Sequence, residues 1–162
     1  MSNFLLFLML LSYSIPIFYV YYNYSNNTSV SNIICQDNCQ KIILLGMLLM
    51  GYFSILYEIN RGGGLSLLLI ILILIGIYGV ILIKEDKKIH YMFAAIVFLS
   101  IIGFMINHCI ITNCNFLYLL LYIQIILLFI TILNIETNIF YSELLLIVNF
   151  AIYYLYLHYI SP

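Results

Sequence analysis

Five residues of this chain have the types that hold zinc: Cys35, Cys39, His108, Cys109 and Cys114. A structural zinc site takes four thiolate or imidazole ligands, so the two clusters would have to meet. His90, His108 and His158 raise a second chemistry, a haem held between two imidazoles. Glu143, Gln124 and Asn149 sit in strongly apolar surroundings, where an ionisable or amide group suggests a proton relay or a hydrated path. Glu58 and Arg61, three residues apart, are spaced to pair on one helical face. Which of these groups can act together depends on the elements that carry them.

Those elements are set by composition. Of 162 residues, 66% are hydrophobic and 7% charged, against about 25% charged in an ordinary soluble domain. With a mean hydropathy of +1.18, such a chain cannot cover a water-facing surface, and its solvent is lipid. The net charge of -1 gives no electrostatic footprint for nucleic acid. Leu65 to Ile83 is an almost pure aliphatic run; the knot Lys84-Glu85-Asp86-Lys87-Lys88 follows, then His90 and a second apolar run. Two such runs around one charge cluster describe a transmembrane hairpin, because a helix needs about 20 apolar residues to cross ~30 Å of hydrocarbon. The same reading over the whole chain predicts an all-α polytopic integral membrane protein, one transmembrane domain over 1–162. It is a bundle of six transmembrane helices with short loops, spanning approximately 4–22, 41–58, 65–83, 90–107, 116–133 and 139–159, with a polar loop at 23–40.

The first span has no basic residue before it and no small-residue cleavage site after it, so it reads as a retained anchor, bent at Pro16. Tyr19, Tyr21, Tyr22 and Tyr24 at its end mirror Tyr153, Tyr154, Tyr156 and Tyr159 in the last span, a headgroup-level pattern. Gly62-Gly63-Gly64 allow a sharp reversal, without the Lys-Ser/Thr of a phosphate loop. Ile96, Ser100, Gly103 and Asn107 share one face of the fourth span and read as a helix-packing seam.

Six spans put the first, third and fifth loops on one face of the membrane and the second and fourth on the other. The two cysteine clusters then lie on opposite faces, so no metal is expected; local disulfides, Cys35 with Cys39 or Cys109 with Cys114, remain open where a face is oxidising. His90 and His108, 18 residues apart on one helix, are about 27 Å from each other and cannot clamp one haem, so no cofactor is expected. Glu143 lies one turn into its span and reaches the interface; Asn149 forms a polar stripe with Tyr153 and Tyr156, with Gln124 as its partner on the fifth span. Glu58 and Arg61 read as an interfacial ion pair. Asn23, Asn26 and Asn27 open three overlapping glycosylation patterns. No nucleophile elbow, carboxylate pair or metal-binding helix motif is visible, so an enzyme is not expected and no catalytic residue is assigned.

At Gly76-Ile77-Tyr78-Gly79-Val80, then Ile89-His90, Ala94 and Phe98, the sequence resembles the six-span family of DNA-damage-regulated autophagy modulators. That family has a Gly-rich end to its third span and a His opening the fourth, with a small residue and an aromatic at four-residue steps. The Pro and Ser pattern expected after its first span is not recognisable here. The resemblance implies a cytoplasmic amino terminus and a lumenal or external first loop. The charges point the other way: Lys41, Lys84, Lys87 and Lys88 flank the first and third loops, against Arg61 beside the second.

The functional expectation is a non-enzymatic structural or accessory component of a membrane assembly, its partners membrane lipid and other membrane protein subunits. The heavy use of Ile, Leu, Asn and Tyr fits an AT-rich source, so the membrane is expected to be organellar, endomembrane or the internal membrane of a large DNA virus. The alternatives are an autophagy-modulator-like regulator acting through lipid or protein contacts, and a small channel or transporter lined by Glu143, Gln124 and Asn149.

Overall fold

The computed structural model describes residues 2–22, 29–30, 33, 37–83, 87–133 and 140–160. Within them the chain forms six long helices and no strand: α1 (Ser2–Tyr22), α2 (Asp37–Asn60), α3 (Leu65–Leu82), α4 (Lys88–Thr112), α5 (Asn115–Leu133) and α6 (Phe140–Ile160). Each is long and apolar enough to cross a membrane. This is a multi-pass membrane protein with an all-α bundle. Ser2 and Ile160 lie on one face with the α2–α3 and α4–α5 turns (the termini face), and the opposite ends of the six helices lie on the other (the loop face).

Helix is the only element in which each of these apolar runs can satisfy its backbone within lipid. The turns are set by residues that accept unusual angles. Gly62, Gly63 and Gly64 all have positive φ, 104°, 62° and 71°, and the Gly63 N–H closes back on the Glu58 carbonyl at 2.9 Å. α4 runs on through His108 and Cys109, which the sequence placed in a loop, and stops only where Asn113 turns left-handed at φ 47°. At 25 residues it is about 37 Å long, more than the hydrocarbon thickness requires.

Three sequential hairpins make the bundle, with α1 against α2, α3 against α4 and α5 against α6 as its closest pairs. α1 is helical through Pro16, which cannot donate to the Ser12 carbonyl; Gly46 of α2 packs against that gap, its absent Cβ 3.0 Å from the Pro16 ring. Between α3 and α4 the approach is tighter. A Cβ on Gly76 would meet Val97 at 2.6 Å, and one on Gly79 would enter the Phe93 ring. The seam expected on α4 lies here in part: Ser100 is buried and Gly103 faces Leu69 of α3, while Asn107 is half-buried.

Candidate functional site

Two features stand out: a polar cluster near the termini face and an apolar cavity that runs from it toward the loop face.

The cluster is built where α2 ends against α6. Glu58 is fully buried, and its Oε1 accepts a hydrogen bond from the Tyr154 hydroxyl at 2.5 Å. The same oxygen lies 3.6 Å from an Arg61 guanidinium nitrogen, and that guanidinium sits 5.6 Å from the Tyr57 ring centroid. The Tyr57 hydroxyl is hydrogen-bonded to His158 Nδ1, and His158 Nε2 lies 3.0 Å from Asn3 Oδ1 on α1. Phe104 of α4 stacks on Tyr154, ring centroids 5.5 Å apart, and packs at 4.5 Å on His108. Four helices, α1, α2, α4 and α6, therefore converge here. Three buried polar atoms in the region, Glu58 Oε2, Arg61 Nη1 and His108 Nε2, make no hydrogen bond among the described residues.

This arrangement corrects two expectations. Glu58 and Arg61 do pair, but the carboxylate is buried inside the bundle rather than wet at an interface. A carboxylate in that setting is held by the charge and hydroxyl beside it, since a buried ion without partners is strongly destabilising. Tyr153 and Tyr154 are not headgroup tyrosines either; both are buried, and Tyr153 donates to the Met105 carbonyl at 2.7 Å. Tyr159, 83% exposed, and Tyr22, 89% exposed, keep the surface placement. The signal missed in the sequence was spacing: Tyr153, Tyr154 and His158 lie on the inward side of α6, with Glu58 on the inward side of α2.

Farther along α6, Asn149 donates to Gln124 Oε1 at 2.7 Å and to the Leu120 carbonyl at 3.0 Å, both on α5. The two amides are spent on each other. Glu143, one turn into α6, accepts the Val30 backbone N–H at 2.7 Å. His90 is buried and bonded through Nδ1 to the Ile83 carbonyl at 2.7 Å, so it closes the α3–α4 connection.

Cys109 and Cys114 are free, so the disulfide considered between them is not formed. The physical reason is orientation: Cys109, at the end of α4, turns its sulfur to the Tyr153 hydroxyl at 3.5 Å, and Cys114, just before α5, turns to Tyr156 at 4.0 Å. The Leu117 and Phe116 backbone N–H groups at the start of α5 pull the Cys114 thiol below the usual thiol range. The glycosylation patterns at Asn23, Asn26 and Asn27 and the Cys35–Cys39 pairing lie outside the described residues. No group of three metal-ligating side chains gathers among the described residues.

The cavity has a volume of about 520 Å³ and takes wall residues from all six helices. Its walls are aliphatic and aromatic: Met9 and Tyr13 from α1, Met50 from α2, Ile73 from α3, Phe98 from α4 and Phe150 from α6 are representative. Tyr154, the partner of Glu58, bounds it toward the termini face, and His90 and Glu143 bound it toward the loop face. The stripe His90, Ala94 and Phe98 lines it, whereas Gln124 and Asn149 do not. A half-open apolar space of about 520 Å³ favours an occupant that supplies the dispersion contacts its walls lack. Its largely apolar walls offer water few of the roughly two to four polar partners it needs.

No family model, curated protein or solved structure matches the chain.

Proposed function

We propose that this chain is a non-enzymatic accessory component of a membrane assembly. The observation that carries the reading is how its intramembrane polar groups are used. Asn149 with Gln124, Tyr153 with the Met105 carbonyl and Tyr154 with Glu58 each tie one span to another. The cavity wall, by contrast, is almost wholly apolar, which supports a packing role over passage of a hydrated solute. Outside, α1 presents Phe4, Phe7, Leu11, Ile15, Phe18 and Tyr22, all exposed, at three- and four-residue steps. An aromatic-rich helical face of this kind suits a neighbouring membrane subunit as well as lipid.

Native mass spectrometry after gentle extraction tests it. A mass well above 18.9 kDa, with the same companion subunits in each preparation, is the expected result. A lone chain at every detergent strength would overturn it.

A second reading, a membrane regulator of the autophagy-modulator type acting through lipid, is favoured by one observation: His90, Ala94 and Phe98 all face the cavity.

A further inference from the structure

We infer that the central cavity is a binding site for one acyl chain of a membrane phospholipid, which enters sideways between α4 and the α5–α6 hairpin. The inference stands whether the protein serves an assembly or acts as a regulator.

Three observations lead to it. The first is the shape of the opening. α4 and α5 leave a tight turn at the termini face, and α4 and α6 approach each other over only a short stretch. The cavity wall includes residues that are also exposed on the outside of the bundle: Tyr91 and Leu99 on α4, Ile132 on α5 and Leu155 on α6. Side chains that are at once cavity wall and outer surface mark a mouth, and this one lies between membrane-spanning helices. What stands outside it is lipid hydrocarbon.

The second is chemistry. The polar wall groups at the ends are engaged, Tyr154 with Glu58, His90 with the Ile83 carbonyl and Glu143 with the Val30 N–H. Between them, apart from hydroxyls such as those of Tyr13 and Ser54, the wall is apolar, so the site suits an occupant that is hydrocarbon over most of its length. Its volume, about 520 Å³, falls in the ~300–1,000 Å³ range of small-molecule sites.

The third is the position of charge. Lys87 and Lys88 are exposed at the start of α4, within a turn of the wall residues His90 and Tyr91. They set a phosphate level at the loop-face end of the mouth, so a phospholipid anchored there lays its chain past Ala95 and Ala151 into the bundle. An uncharged hydrocarbon molecule would use the cavity but not the lysines.

The chain contains no Trp, which makes a direct test available. Phe150→Trp places one indole on the cavity wall, and Phe129→Trp, at a 64% exposed site on α5, places one against bulk lipid. Each variant is reconstituted into phosphatidylcholine vesicles whose acyl chains carry bromine, a contact quencher of indole emission. We expect quenching at position 150 comparable with that at position 129. Adding Ala95→Phe and Ala151→Phe to plug the mouth should then remove most of the quenching at 150 and leave that at 129 unchanged. Absence of quenching at 150 in the unplugged protein would overturn the inference. So would quenching that the plug does not alter, since it would come from lipid outside the bundle. Thermal melting by circular dichroism confirms that each variant is folded. If the double plug does not fold, Ala95→Phe alone, at an already exposed position, carries the comparison.

Discussion

The α3–α4 hairpin and the last helix, α6, are held in place by opposite means. α3 meets α4 through missing side chains: Gly76 and Gly79 let the backbones close on Val97 and Phe93, and the gain is dispersion contact over a long seam. α6 comes less close to its neighbours and reaches them instead with polar tips, through Asn149 to α5, Tyr153 to α4, and Tyr154 and His158 to α2. α2 and α6 are joined by side chains rather than by backbone approach. The cavity borders both kinds of contact: its wall takes Val97 from the first and Tyr154 from the second.

Breaking the first seam should have the largest effect. Gly79→Leu forces a side chain into the Phe93 ring, and Phe93 meets it at the root of its ring rather than at a flexible tip. A loss of about 3 kcal/mol or more is expected in unfolding by sodium dodecyl sulfate from mixed micelles. Gly103→Ala is the control, since its Cβ would meet only the movable end of Leu69 at 3.2 Å, and it should unfold nearly as the parent does.

The polar seam should break by smaller, separable steps. Tyr154→Phe removes the donor to Glu58 Oε1 and should cost about 2 kcal/mol in the same assay, because the carboxylate stays buried. Were the loss no larger than for Tyr159→Phe on the exposed side of α6, the hydroxyl would contribute nothing. Smaller still is the amide pair. Asn149→Leu and Gln124→Leu, alone and combined, should show a coupling of about 0.6–1.7 kcal/mol, and strict additivity would mean the bond is not made in the membrane.

The two thiols give the smallest and most local readout. Cys109 is buried against Tyr153, while Cys114 is half-buried with its pKa lowered by the α5 backbone N–H groups. The thiolate is the reactive form, so lowering the pKa makes it available at lower pH. Maleimide labelling followed by mass should therefore rise for Cys114 below the pH at which an ordinary thiol labels, with Cys109 protected until α6 is loosened by Tyr153→Phe. Equal labelling of both at every pH would show that the polar seam does not extend to Cys109.

The number and kind of helices could be read from the chain because both follow from length and hydropathy, which need no knowledge of neighbours. The Gly62–Gly64 reversal was legible for the same reason: three glycines in a row have one local use. The pairing of Asn149 with Gln124 was within reach because so few polar groups lie in the last two spans. The polar cluster was not. Its bonds join Glu58 to Tyr154 and Tyr57 to His158, 96 and 101 residues apart, and nothing local distinguishes a buried tyrosine from one at the headgroups. Nor does an aliphatic stretch announce whether it faces a neighbour, a cavity or the bilayer. His108 and Cys109 were placed in a loop because polar residues usually end a span, but α4 is longer than the membrane requires and keeps them helical.

The separation of Glu58 from Tyr154 also has a meaning for biogenesis. The carboxylate is synthesised 96 residues before the hydroxyl that bonds it, roughly 5–20 s earlier at ordinary rates of translation. Over that interval the nascent chain holds an acidic side chain among its first helices with Arg61 beside it and no hydroxyl opposite. A truncated or stalled product would keep that defect, whereas a finished one conceals it as α6 inserts. The buried acid thus gains its second partner only when the last helix is in place, which makes that contact a mark of a complete bundle.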